Sequence, residues 1–139
     1  MTMPAGREPM TMFTLAQRGM SAQLVRMNAA ASNLANAGSV SGSEDGAYKP
    51  IRTVFAEDLD QASGLASVSV QGVMREQGAA VRRHEPDHPL ADANGDVWTA
   101  PVDENAEMVE MLEASRQYQN LVEALSTAKQ LMLDTMRLK

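Results

Sequence analysis

The chain has 139 residues, a net charge of −6 and no cysteine. That suits one modest domain and excludes disulfides, thiolate metal sites and a cysteine nucleophile. The negative balance argues against a nucleic-acid partner, because phosphate neutralisation dominates such affinity; the tight basic cluster Arg82, Arg83 and His84 is flanked by Glu85, Asp87 and Asp92.

Eleven methionines stand against two Phe, two Tyr and one Trp. Methionine suits adaptable helix contacts better than a rigid pocket. No run of about 18 apolar residues exists to span a membrane. The first residues carry Pro4, Gly6, Arg7, Glu8 and Pro9 and lack the apolar stretch of a secretory signal, so any export would take another route.

Residues 1–10 read as a flexible lead-in. Thr11 or Thr14 is a candidate N-cap, the latter with Gln17 completing a capping box. A first amphipathic helix then spans Thr11 to Asn36, with Phe13, Ala16, Met20, Leu24, Met27, Ala31 and Leu34 on one stripe. Gly19 weakens it by roughly 1 kcal/mol relative to Ala. Ala29, Ala30, Ala31 and Ala35 form a small face that would let another helix approach closely. Asn33, Asn36 and Gly38 end the helix. Ser39 to Gly46 reads as a polar, flexible loop.

The segment from 38 to 102 favours strands. Tyr48 to Phe55 is extended, with Pro50 suggesting an edge. Gln61 to Gly64 is a polar break. Val68, Val70 and Val73 alternate with polar residues as in a half-buried strand, and Gly72 marks a bulge. Ala80 to His84 is another short strand. Ala93-Asn94-Gly95-Asp96 is a turn, and Val97 to Thr99 returns as a strand anchored by Trp98.

The last segment, 103–139, is one long helix with Asp103 as N-cap. Glu104, Glu107, Glu110 and Glu113 crowd its front, while Lys129, Arg137 and Lys139 sit at its back, in accord with the helix dipole. One apolar row holds Met108, Met111, Tyr118, Val122, Leu125, Met132 and Met136. A second holds Leu112, Ala114, Leu121, Ala128, Leu131 and Leu138. That surface is wider than one partner helix covers, so one row is expected on the chain's own first helix and the other on neighbouring subunits. The fold expected is mainly α with a small β-rich insertion, its two long terminal helices pairing as an antiparallel or coiled-coil-like hairpin.

Candidate chemistry is thin. His84 and His88, with Asp92 nearby, have Pro86 between them, which denies the helical spacing of a metal site. Paired acids such as Glu57/Asp58 sit in exposed-looking stretches rather than a desolvated cleft. No G-x-S-x-G elbow is present. Three readings remain: an assembling structural subunit, a self-contained helical-hairpin adaptor, and, with least support, a hydrolase using the His84/His88 region. Catalytic, cofactor and metal residues are expected to be absent.

The wording of the chain narrows this. Ala31-Ser32-Asn33-Leu34-Ala35-Asn36-Ala37, preceded by Met20-Ser21-Ala22-Gln23 and Arg26-Met27-Asn28, resembles the N-terminal signature of bacterial flagellar rod and hook proteins. Pro89 to Val97, Pro101-Val102-Asp103 and Ala114-Ser115-Arg116-Gln117-Tyr118 resemble the short proximal-rod members of that axial family. Gly38 departs from the acidic residue expected there. The resemblance covers nearly everything from Phe13 onward. It implies a non-enzymatic subunit exported by the flagellar type III apparatus and assembled in the periplasm with copies of itself and other rod proteins. It also implies that the terminal helices form the assembly interface. The candidates are Met20, Leu24, Met27, Ala31, Asn33, Leu34 and Asn36 on the first helix. On the last they are Met108, Met111, Leu112, Tyr118, Leu121, Val122, Leu125, Ala128, Met132 and Met136.

Overall fold

The structure is a computed structural model and describes residues 11–138; the lead-in at 1–10 and Lys139 lie outside the described residues. Two helices frame a β-rich middle: α1 (Met12–Ala35), β1 (Val40–Ser41), β2 (Ile51–Asp60), β3 (Leu65–Arg75), β4 (Val81–His84), β5 (Asp96–Thr99) and α2 (Glu104–Arg137).

Thr11 is the cap of α1. Its hydroxyl accepts from the Thr14 N–H at 3.2 Å, satisfying one of the orphan donors of the first turn. Thr14, the other candidate, therefore lies inside the helix. Asp103 caps α2, accepting from the Ala106 N–H at 3.2 Å. The two helices run antiparallel: Arg26 meets Glu110, and Gly19 lies against Leu121.

The strands form two separate sheets. β2 and β3 make a long antiparallel hairpin. Its turn closes through Gly64 at φ 69°, in the polar break between the strands. Its register shifts between Val54 and Phe55, which pair with Gly72 and Val70. Gln71 is thus the extra residue, and Gly72 at φ 156° allows the bend. The other sheet has the order β1-β5-β4, all antiparallel.

Two expectations change here. Ser39 to Gly46 is not simply a loop, because Val40 and Ser41 pair with Thr99 and Trp98. A two-residue strand carries too little periodicity to be seen in sequence. Within β5 the fully buried residue is Val97, with Trp98 half-buried on the alternate face. The period of two puts neighbours on opposite faces, so only one of them can fill the core.

The core is made of small residues: Ala22, Ala29 and Ala30 of α1, Ala114 of α2, Ala47, Val97 and Ala100. The α1 stripe through Phe13, Met20, Met27 and Leu34 is only half-buried, and Leu24 and Ala31 are exposed. The physical reason is that α1 packs on both α2 and the β2–β3 hairpin. Where three elements converge, only small side chains fit between the backbones.

Candidate assembly interface

The signature end of the expected interface turns inward. Asn33 has 0% exposure and clamps the first residue of β2. Its Oδ1 accepts from the Ile51 N–H at 2.8 Å, and its Nδ2 donates to the Ile51 carbonyl at 3.0 Å. The Tyr48 hydroxyl donates to the same Oδ1 at 2.9 Å. Having spent its only proton, Tyr48 can bond Ser32 Oγ, 3.1 Å away, only as acceptor from the serine. Asn36 donates to the Ser32 carbonyl at 2.8 Å and ends the helix. Asn33, with Ser32 through Tyr48, is therefore an internal latch between α1 and the start of β2, while Asn36 closes the end of α1 itself. Both polar atoms of the Asn33 amide are engaged inside the subunit.

A charge cluster lies beside the latch. Arg26 grips Glu110 with both ends of its fork, Nε on Oε1 and Nη2 on Oε2, the latter at 3.0 Å. Arg52 stands between Glu76 and Glu107, its Nη1 2.5 Å from Glu107 Oε1. Glu107 is 1% exposed, and the Arg52 guanidinium is the charge that stands against its buried carboxylate. The hydrogen bonds from Arg26 hold the Glu110 carboxyl below its ordinary pKa, against a smaller opposing effect of burial. The same bond to Glu110 raises the Arg26 pKa. Burial works against the Arg52 charge, but Glu107, Glu76 and Glu110 together outweigh it and raise its pKa. The sequence placed Glu107 and Glu110 at the front of the last helix but did not reveal their pairing with Arg52 and Arg26. The available signal was Glu107, seven residues before the buried Ala114 and so on the same helix face.

The helix seam follows a four-three rhythm through Glu107, Met111, Ala114, Tyr118, Leu121, Leu125 and Ala128, all buried or half-buried. It draws alternately from both apolar rows, so the expected split of one row inward and one outward does not hold. The first row has the same three-four rhythm and shares Met111, Tyr118 and Leu125 with the seam, but at the alternate steps the seam takes the preceding residue: Glu107, Ala114, Leu121 and Ala128 rather than Met108, Ser115, Val122 and Lys129. Left outside are Met108 (50% exposed), Leu112 (65%), Val122 (41%), Met132 (50%) and Met136 (67%), together with Val109, Leu131 and Leu133.

The histidine region is a turn. His84 Nδ1 lies 2.9 Å from Asp96 Oδ1, and His88 Nδ1 accepts from the Leu90 N–H. Asp92 Oδ1 accepts from the N–H groups of Asn94 and Asp96, both at 2.9 Å. Gly95 takes φ 79°, and a Cβ there would sit 3.1 Å from the His84 ring and 3.2 Å from Pro86. Among the described residues no group of three potential ligands is placed to hold a metal. Nor is any helix there long and apolar enough to cross a membrane.

Residues 13–42 match the family described as flagella basal body rod protein, and residues 93–138 match the flagellar basal body rod FlgEFG protein C-terminal family. The chain is 41% identical over 129 residues to the flagellar basal-body rod protein FlgC of Salmonella typhimurium, covering 93% of this chain and 96% of that one. It belongs to the FlgC family of flagellar basal-body rod proteins. The FlgC of Escherichia coli O6:H1 is 40% identical over the same shares of both chains. That of Agrobacterium fabrum is 32% identical, covering 89% of this chain and 90% of its own. The two family matches at the ends contain nearly all of α1 and all of α2, the paired helices of the seam. The role that goes with this family is structural.

Proposed function

We propose that the chain is a subunit of the proximal flagellar rod, assembling in the periplasm through its terminal helices with copies of itself and other rod proteins. Its helices, 11–37 and 103–139, form the axial core; the middle, 38–102, packs outward; and 1–10 leads in. Delivery is by the flagellar type III export apparatus. The observation that carries this reading is the exposed apolar surface of α2, from Met108 to Leu138, which survives after α1 has covered the seam. Scattered exposed apolar residues are ordinary, but a row along one long helix marks a contact surface. A self-contained adaptor hairpin would show a polar outer face instead. Leu131, 62% exposed and off the seam, gives the clean test. Leu131→Glu is expected to keep the circular dichroism and unfolding midpoint of the parent but to abolish swimming in cells that depend on this subunit. Unimpaired swimming would remove the assembly role of that surface.

A further inference from the structure

A small cavity lies where α1, β2 and α2 meet. It measures about 20 Å³, room for one water molecule, and its walls include Arg26 and Ala30 of α1, Arg52 and Thr53 of β2, and Glu107 and Glu110 of α2. One carboxylate oxygen there lacks a partner. Glu107 meets Arg52 through Oε1, whereas Oε2 is buried with no hydrogen-bond donor among the described residues. Leaving such an oxygen unsatisfied is costly, and native proteins supply it with a protein donor or an ordered water. The main chain of β2 brings a second polar group to the same place. Along an antiparallel pair, hydrogen-bonded and non-bonded residue pairs alternate. The Glu76 N–H donates to the Pro50 carbonyl, which makes Pro50 and Glu76 a bonded pair. Ile51, next along, turns its N–H and carbonyl away from β3 and onto Asn33. Arg52 pairs inward with Met74, so Thr53, opposite Val73, turns outward again. Its N–H and carbonyl face the same open edge as those of Ile51, about 7 Å further along the strand.

From the unpartnered Glu107 oxygen, the outward Thr53 peptide and the one-water volume, we infer that this cavity is a binding site for a single buried water. The water donates to Glu107 Oε2 and accepts from the Thr53 N–H, doing for Thr53 part of what the Asn33 amide does for Ile51. The walls select a neutral occupant. Arg26 and Arg52 balance Glu107 and Glu110, so neither a cation nor an anion gains from entering. The site also has a mechanical consequence. Among the described residues no strand packs its backbone against α2, so the hairpin reaches that helix through side chains such as Arg52. The water extends this link from the Arg52 side chain to the main chain of β2. It ties together three elements that the small side chains Ala29 and Ala30 allow to converge.

The test is water–amide cross-relaxation, measured by NMR on the isotope-labelled full chain. A water held longer than the tumbling time gives Overhauser cross-peaks of opposite sign in the laboratory and rotating frames, whereas proton exchange gives the same sign in both. The expected result is an opposite-sign pair of cross-peaks between water and the residue-53 N–H. The pair should persist in Thr53→Val, which removes the hydroxyl that could relay it, and vanish in Glu107→Leu, which removes the acceptor. No such pair in the parent would overturn the site. Its loss in Thr53→Val would overturn it in favour of the hydroxyl as the source, and its survival in Glu107→Leu would overturn the part given to Glu107. A crystal structure of the parent chain covers the case in which Glu107→Leu does not fold. It should show one solvent peak within hydrogen-bond distance of both Glu107 Oε2 and the Thr53 nitrogen. A dry cavity, or Oε2 bonded directly to an arginine, would contradict the inference.

Discussion

The Asn33 amide does for Ile51 what a neighbouring strand would do, giving one backbone hydrogen bond and taking another. Replacing it with Asp keeps the shape but turns an acceptor toward the Ile51 carbonyl. Asn33→Asp is expected to cost about 1–3 kcal/mol in urea unfolding, the usual cost of an unsatisfied buried polar group. Tyr48→Phe, which leaves the amide pair itself in place, should cost about 1 kcal/mol. The Arg26–Glu110 pair gives a pH signature. A carboxyl whose folded pKa is lowered stabilises the fold above the ordinary carboxylate range. That contribution is lost as the pH falls through the lowered folded value. Glu110 is 38% exposed on its side chain, so its share is modest, on the order of 1 kcal/mol at neutral pH. The acid limb of the stability curve should flatten in Glu110→Gln, measured by denaturant midpoints between neutral pH and pH 3. An unchanged acid limb would assign the loss to other carboxylates. Arg52 carries a larger stake, since Glu107 is almost wholly buried against it. Arg52→Ala should destabilise by roughly 2–3 kcal/mol, below the full cost of breaking a buried pair because Arg52 itself reaches solvent. Adding Glu107→Gln should recover much of that loss, and independent costs of the two changes would contradict the pairing.

At the scale of elements, the helices and hairpin were legible because each carries a strong local signal. Thr11 and Asp103 are capping residues ahead of apolar periodicity, and Gly64 and Gly95 sit where positive φ is required. Which face of α1 turns inward was only partly legible. Hydrophobicity pointed to the stripe with Met20 and Leu24, and of the small face expected through Ala29, Ala30, Ala31 and Ala35, packing buries Ala29 and Ala30 with Ala22 and leaves Ala31 and Ala35 exposed, because α2 and the hairpin approach α1 together. Size, not hydrophobicity alone, decides a junction of three elements. Gly19 belongs to the same lesson. Its missing Cβ would stand 3.0 Å from Leu121 Cδ1, the far end of a flexible side chain. Gly19→Ala should thus be nearly neutral, its helix propensity offset by the shift of Leu121. Gly19→Leu should cost about 1–3 kcal/mol by overpacking, with partial recovery when Leu121→Ala is added. Protection along α2 should be uneven as well. In the free subunit, amide exchange is expected to be slow from Glu107 to Ala128, where the seam is covered, and fast from Gln130 onward.

Among the described residues, half of the exposed large apolar side chains, from Met108 to Leu138, lie along one long helix. The buried core consists mainly of alanines, which contribute little transfer free energy each. Such a subunit gains much of its burial only in contact with neighbours, a pattern that fits an assembly made from many weak, repeated contacts. The β-rich middle has little part in the α1–α2 seam, but its latch at Ile51 and clamp at Arg52 fix the angle at which the helices leave it. The central claim is that the helix hairpin is the axial, inward-facing part of a rod subunit. The most direct measurement is a density map of isolated basal bodies assembled with this chain. α1 and α2 are expected in the innermost layer along the rod axis, with β2–β3 and the β1-β5-β4 sheet outside them. Helices on the outer surface, with the strands lining the axis, would contradict it.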